Sequence, residues 1–155
     1  MDSAEQFFTI GLVAFLIAHI FYIIAFGNNV WHSPNPAFLK KTPLAGLPIV
    51  VLYGILLYFL IPSLNEMLLP VISYATVLTI MVLAALNRYQ AAPPDSVAFI
   101  FTGSLLFMAS DSLIAIDKFL TPFDGAQLLI MALYISAQYF ITIGGMRYQP
   151  QRVVH

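Results

Sequence analysis

The chain has 155 residues, of which 61% are hydrophobic and 8% charged, whereas a soluble domain carries roughly a quarter charged residues. Six basic and seven acidic side chains cannot keep so apolar a chain dispersed in water, which excludes an ordinary soluble domain and points to an integral membrane protein. A formal net charge of -1 gives no electrostatic footprint for nucleic acid, and the absence of cysteine removes disulfides, thiolate nucleophiles and thiolate metal sites.

Five stretches have the length and apolarity of a membrane-spanning helix, which needs about 20 residues. They lie near residues 6–27, 44–63, 67–87, 96–117 and 123–145. The first carries His19 as its only ionisable side chain, and its flank has Asp2 and Glu5 instead of the basic residues of a signal peptide. The second is framed by Pro43 and Pro62 and tolerates Pro48 in its first turns; the third begins after Glu66, with Pro70 in its opening turn. The fourth is interrupted by Asp111 and nears its end at Asp117. The fifth follows Asp124, which suits a helix N-cap or the positive end of the dipole. Short proline-punctuated loops join the spans, and there is no internal repeat. The expected fold is all-α, a polytopic transmembrane helix bundle forming one domain over residues 1–155.

Basic residues set the orientation of such a bundle. Lys40, Lys41, Arg88, Arg147 and Arg152 fall on one side and Lys118 on the other, which predicts a cytoplasmic C-terminus, as in a bacterial inner membrane protein. The arginines are read as topology signals, and Lys118 as a surface partner of Asp117. Trp31, Phe38 and Tyr89 beside the basic loops suit interface anchors.

Polar side chains at membrane depth need a reason to be there. An aspartate at a helix centre costs about 2.5–3.5 kcal/mol on insertion scales, so Asp111, flanked by Ser110 and Ser112, stands out. A hydrogen bond to a neighbouring helix would account for it structurally, and proton chemistry would account for it functionally. Phe15, His19, Tyr22 and Phe26 share one helical stripe, so His19 faces protein or a cavity sooner than lipid. Gln127, Met131, Tyr134, Gln138 and Ile141 form a second stripe, of a kind that also serves as interhelical glue. Tyr53 and Tyr58 are read as packing or interface groups, and Tyr74 as a weak candidate. His19, His32 and His155 have no metal-ligand spacing, and phosphate-cradling glycine motifs are missing, so no metal, nucleotide or other cofactor is expected. A carboxyl group with a histidine nearby serves acid-catalysed hydrolysis of a lipid-borne bond, and equally a proton relay in a transporter.

Gly11-Leu12, Phe15-Leu16, Ala18-His19 and Tyr22 resemble the "GLxxFLxAHxxY" segment of the lysoplasmalogenase, or YhhN-like, family of membrane proteins. Gly103 to Phe107 with Ser110-Asp111 and Phe119 resembles its "GxLLFxxSDxxLAxxxF" segment. Tyr134, Ala137-Gln138 and Ile141 are similar to its "YxxAQxLI" helix, and Pro70, Tyr74, Met81 and Ala84 fit its middle helix. The resemblance implies a hydrolase cleaving the vinyl ether bond of alkenyl lysophospholipids, taken from the bilayer, to a fatty aldehyde and a glycerophospho-base. It implies Asp111 as the catalytic carboxyl, with His19, Tyr22, Ser110, Tyr134 and Gln138 binding substrate. Members of the family usually have about eight spans, with a Gly-Asp motif on a helix before the "AHxxY" segment. Met1 lies only a few residues before "GLxxFL", so the expectation is an N-terminally shortened member with five spans. A small proton-coupled transporter, a lipid-binding membrane protein or an inactive shortened homologue would carry the same residues.

Overall fold

The computed structural model describes residues 3–148, with side chains from Gln6 onward. Asp2, Arg152 and His155 lie outside the described residues, as does the side chain of Glu5. The fold is all-helical: α1 (Ser3–Trp31), the short α2 (Phe38–Lys41), α3 (Leu47–Leu60), α4 (Leu68–Asn87), α5 (Pro94–Phe119) and α6 (Ala126–Met146). Single 3-10 turns at Pro43–Gly46, Ile61–Ser63 and Asn65–Met67 fill the connections around α3. Among the described residues, five helices are long and apolar enough to cross a membrane, and the chain is an integral membrane protein. Their outward faces are apolar too, with Phe7, Trp31, Tyr58, Leu69 and Leu128 exposed, as a lipid-facing surface requires.

Prolines sit where a helix can use them. Pro48 and Pro94 occupy the first positions of α3 and α5, where the missing N–H would have had no intrahelical partner. α1 continues past its expected end at residue 27, because the next proline is Pro34; the last turn holds through Trp31, and His32 N and Nδ1 both contact the Asn28 carbonyl. The start of α6 differs from expectation. Its N-cap is Gly125, in the left-handed region at φ 80°, so Asp124 stands one residue outside the helix and does not cap it. Glycine carries that turn at no steric cost.

The tightest packing is between α5 and α6, with α1 on α4 and α4 on α5 next. Gly103 and Gly144 allow the first of these. A Cβ on Gly103 would lie 2.8 Å from the Ala137 carbonyl oxygen, and one on Gly144 would lie 2.9 Å from the Ile100 nitrogen. The core formed around this contact includes Met81, Val82, Phe107 and Ala137, all buried. α3 packs on α4 and more lightly on α5.

The two ends of the bundle are finished differently. At the basic end, Asn35 Nδ2 donates to the Gln90 carbonyl (2.7 Å), Leu39 N donates to Asn87 Oδ1 (2.9 Å), and Phe38 meets Tyr89 edge to face. At the other end Asp117 Oδ1 accepts the Phe123 N–H at 3.2 Å, closing the α5–α6 turn. Lys118 does not take up the expected pairing with Asp117. Its Nζ stands 4.2 Å from the centre of the Phe8 ring, because the stem reaches sideways over α1 while Asp117 is engaged with the turn.

Candidate active site

α5 carries Asp111 eight residues before its C-terminal end, and α4 brings Tyr74 against it. Tyr74 Oη donates to Asp111 Oδ2, so the costly carboxyl has a hydroxyl partner on a neighbouring helix. Both side chains line a cavity of about 240 Å³ between α1, α3, α4 and α5. Its walls are otherwise apolar, with Leu12, Phe15, Leu56 and Leu78 among them. The other polar groups on the wall are committed elsewhere. Ser112 donates to the Met108 carbonyl, Thr79 to the Ala75 carbonyl, and Tyr53 to Thr76, whose own proton goes to the Ile72 carbonyl. Among the described residues, Asp111 supplies the only carboxyl on this wall.

The stripe on α1 turns inward as its spacing predicts. His19 is fully buried, with its ring edge-on to Phe107 (4.7 Å between centroids), Tyr74 (5.4 Å) and Tyr22 (6.5 Å). Its Nδ1 meets the Phe15 carbonyl, which can only accept, so Nδ1 carries a proton. Nε2 has no hydrogen-bond partner in the protein. Tyr22 donates to Gln138 Oε1 at 2.8 Å, joining α1 to α6, and stacks on Phe26. Tyr74, His19, Tyr22 and Gln138 thus run as a continuous polar and aromatic path from the cavity wall toward the basic end.

The remaining expected residues separate. Tyr134 packs edge-on to Phe15 (5.7 Å) and Phe107 (5.5 Å), behind the cavity. Ser110 is fully buried and donates to the Ile130 carbonyl of α6 at 3.1 Å; it joins helices and does not line the cavity. The stripe on α6 divides, with Gln127 and Met131 exposed and Gln138 and Ile141 turned toward the core. Among the described residues, no three His, Cys, Asp or Glu side chains gather where they could hold one metal ion.

Two features carried too little weight in the sequence. Tyr74 is the direct partner of Asp111, although membrane tyrosines are too common to single it out. Arg88 is fully buried. Its Nε donates to Asn29 Oδ1 (2.8 Å), Nη2 to Ser96 Oγ (2.8 Å) and Nη1 to the Ser96 carbonyl (3.3 Å), between the rings of Phe26 and Tyr148. Burial lowers its pKa to about 10, with Tyr148 opposing the shift, so it stays charged at neutral pH. Its place between Asn87 and the α5 start gave a loop arginine the look of a topology signal alone.

A carboxyl held on one oxygen by a phenol, set on the wall of an otherwise apolar cavity, can pass a proton to a partner atom and take one back. A family model described as the YhhN family matches residues 1–145. The chain is 36% identical over 141 residues to lysoplasmalogenase TMEM86B of Homo sapiens, covering 90% of this chain and 54% of that protein. It is 35% identical over 144 residues to lysoplasmalogenase TMEM86B of Rattus norvegicus (92% and 54%). It is 32% identical over 143 residues to lysoplasmalogenase TMEM86A of Bos taurus (90% and 55%). The chain spans about half the length of these relatives. No solved structure matches it.

Proposed function

The chain belongs to the YhhN family, and from that premise we propose that it is a lysoplasmalogenase-like membrane hydrolase that cleaves the vinyl ether bond of alkenyl lysophospholipids. The observation that carries this reading is the Asp111–Tyr74 pair on the wall of an otherwise apolar cavity. The cavity takes the alkenyl chain from the bilayer, and the vinyl ether lies against the carboxyl group. Asp111 gives its proton to the β-carbon of the vinyl ether, leaving an oxocarbenium ion at the carbon bonded to oxygen and a carboxylate on Asp111. Water adds to that carbon while the carboxylate takes its proton, and the resulting hemiacetal collapses to a fatty aldehyde and the free glycerol hydroxyl. One carboxyl therefore serves as acid and then as base, and the low-dielectric wall strengthens its interaction with the cationic intermediate. Tyr74 is the positioning residue, holding Oδ2.

His19, Tyr22 and Gln138 close the deep end of the site in this reading. Tyr134 supports Phe15 and Phe107 from behind. Ser110 fixes α5 against α6, so that Asp111 keeps its place. The protein acts as one domain in a bacterial inner membrane with its C-terminal end in the cytoplasm. The gathering of Lys40, Lys41 and Arg147 at one end supports this orientation.

The test is aldehyde release from an alkenyl lysophospholipid by the purified protein in detergent or nanodiscs. Wild-type protein releases aldehyde, and Asp111→Asn lowers kcat by about 10²–10⁴, the usual worth of a positioned acid or base. Wild-type protein without aldehyde release, or an Asp111→Asn variant as active as wild type, would sink the reading.

A further inference from the structure

Asp111, held by Tyr74, accounts for the ether bond and the apolar walls for the chain, which leaves the charged end of such a lipid without a partner. We propose that Lys118 binds the phosphate group of a single-chain phospholipid whose chain fills the cavity. The proposal rests on the hydrolase reading for the identity of the lipid.

Three observations converge on Lys118. Asp111 and Lys118 lie seven residues apart on α5, two helical turns, so they face the same way to within about 20°. Ala115 and Phe119, on the same stretch of helix, line the cavity. Lys118 Nζ stands 4.2 Å from the centre of the Phe8 ring, and Phe8 packs edge-on against Phe119 at 5.8 Å. Both rings line the cavity, so the ammonium, though not itself on the lining, lies against its wall. The neighbouring carboxylate, Asp117, accepts the Phe123 N–H in the turn.

The lengths agree. Seven residues of α-helix separate the two positions by about 10 Å along the axis. In a glycerophospholipid, six bonds link the ether carbon to phosphorus, roughly 7 Å when extended, with single bonds of about 1.5 Å. A charge-assisted contact from ammonium to phosphate oxygen adds about 3 Å. Ether at Asp111 and phosphate at Lys118 are therefore satisfied together, with the chain running the other way, past Phe15 and Leu78. A lysine suits the task because its flexible stem can leave the Phe8 face and offer three donors there. The same geometry disfavours a glycerol ether that lacks phosphate.

The experiment separates binding from chemistry. A saturated alkyl-ether lysophospholipid has no vinyl ether to protonate, and the matching alkylglycerol lacks the phosphate. Their dissociation constants for the full chain in detergent, measured by titration calorimetry, give a phosphate preference. Wild type prefers the phospholipid, Lys118→Gln reduces that preference roughly tenfold or more, and Lys118→Arg retains most of it, as expected for a hydrogen bond to a charged group. A wild-type protein that binds both alike, or a Lys118→Gln variant with an unchanged preference, overturns the proposal. Lys118 is exposed, so its replacement leaves the fold intact. Failure of the hydrolase reading looks different, with the phosphate preference present and no aldehyde formed from the vinyl ether.

Discussion

Tyr74 has two separable parts, a ring that packs against His19 and a hydroxyl that holds Asp111. Tyr74→Phe keeps the first and removes the second. On the proposed hydrolase reading, the expected result is a folded protein whose kcat for aldehyde release falls about tenfold to a hundredfold, the worth of one hydrogen bond to a charged group, with KM little changed. Steady-state kinetics on detergent-solubilised protein read this directly, and an unaltered kcat would remove Tyr74 from the mechanism. Asp111 was legible in the sequence because a carboxylate in mid-span is costly anywhere in lipid. Its partner was not, since Tyr74 lies 37 residues away on another helix and carries no such cost. His19 and Tyr22 fell between these cases. Their stripe gave the direction they face, but the partner of Tyr22, Gln138, is 116 residues further on.

At the level of helices, the α5–α6 contact depends on two glycines. An alanine at Gly103 would push its Cβ against Ala137 O and Ile141 N at 2.8 and 2.9 Å, and backbone atoms in a helix have little room to yield. Gly103→Ala is therefore expected to destabilise the bundle by about 1–3 kcal/mol through overpacking. Gly54 on α3 has nothing within 4 Å of an added Cβ, so Gly54→Ala should be neutral or stabilise slightly, by up to about 1 kcal/mol. Thermal unfolding of both variants in the same detergent compares them. The spans were readable from apolar run length, because a membrane helix announces itself over 20 residues. The glycine contact was not, since glycine is frequent in transmembrane helices whether or not it touches a neighbour. The cap of α6 was hidden for a related reason. Asp124 has the right chemistry for a cap, but the chain reverses direction at Gly125, and the cap position follows the backbone.

Across the whole molecule, Arg88 holds the basic end together. Its guanidinium reaches Asn29 on α1 and Ser96 on α5, and the Ser96 hydroxyl passes the link on to the Gly144 carbonyl of α6 at 2.7 Å. Lysine would keep the charge but cannot span Asn29 and Ser96 with one ammonium. Arg88→Lys is expected to lose about 2–3 kcal/mol, as charge-assisted bonds are left unmade at a buried site. The loss would show as a lower melting temperature and a broadened size-exclusion profile, while Arg147→Lys at the exposed ion pair with Asp95 changes neither appreciably.

That linkage bears on how the protein is made. The groups that meet Arg88 come from α1, from α5 and, just past α6, from Tyr148, so α1 to α4 alone offer the guanidinium only Asn29 and the Phe26 ring. Until α5 and α6 pack against them, the cation is best solvated by water, since an unpaired charge is costly to bury. Packing of α5 and α6 withdraws it from water. Burial of Arg88 is therefore coupled to the packing of α5 and α6 on α1, and a bundle in which they come loose exposes the guanidinium again.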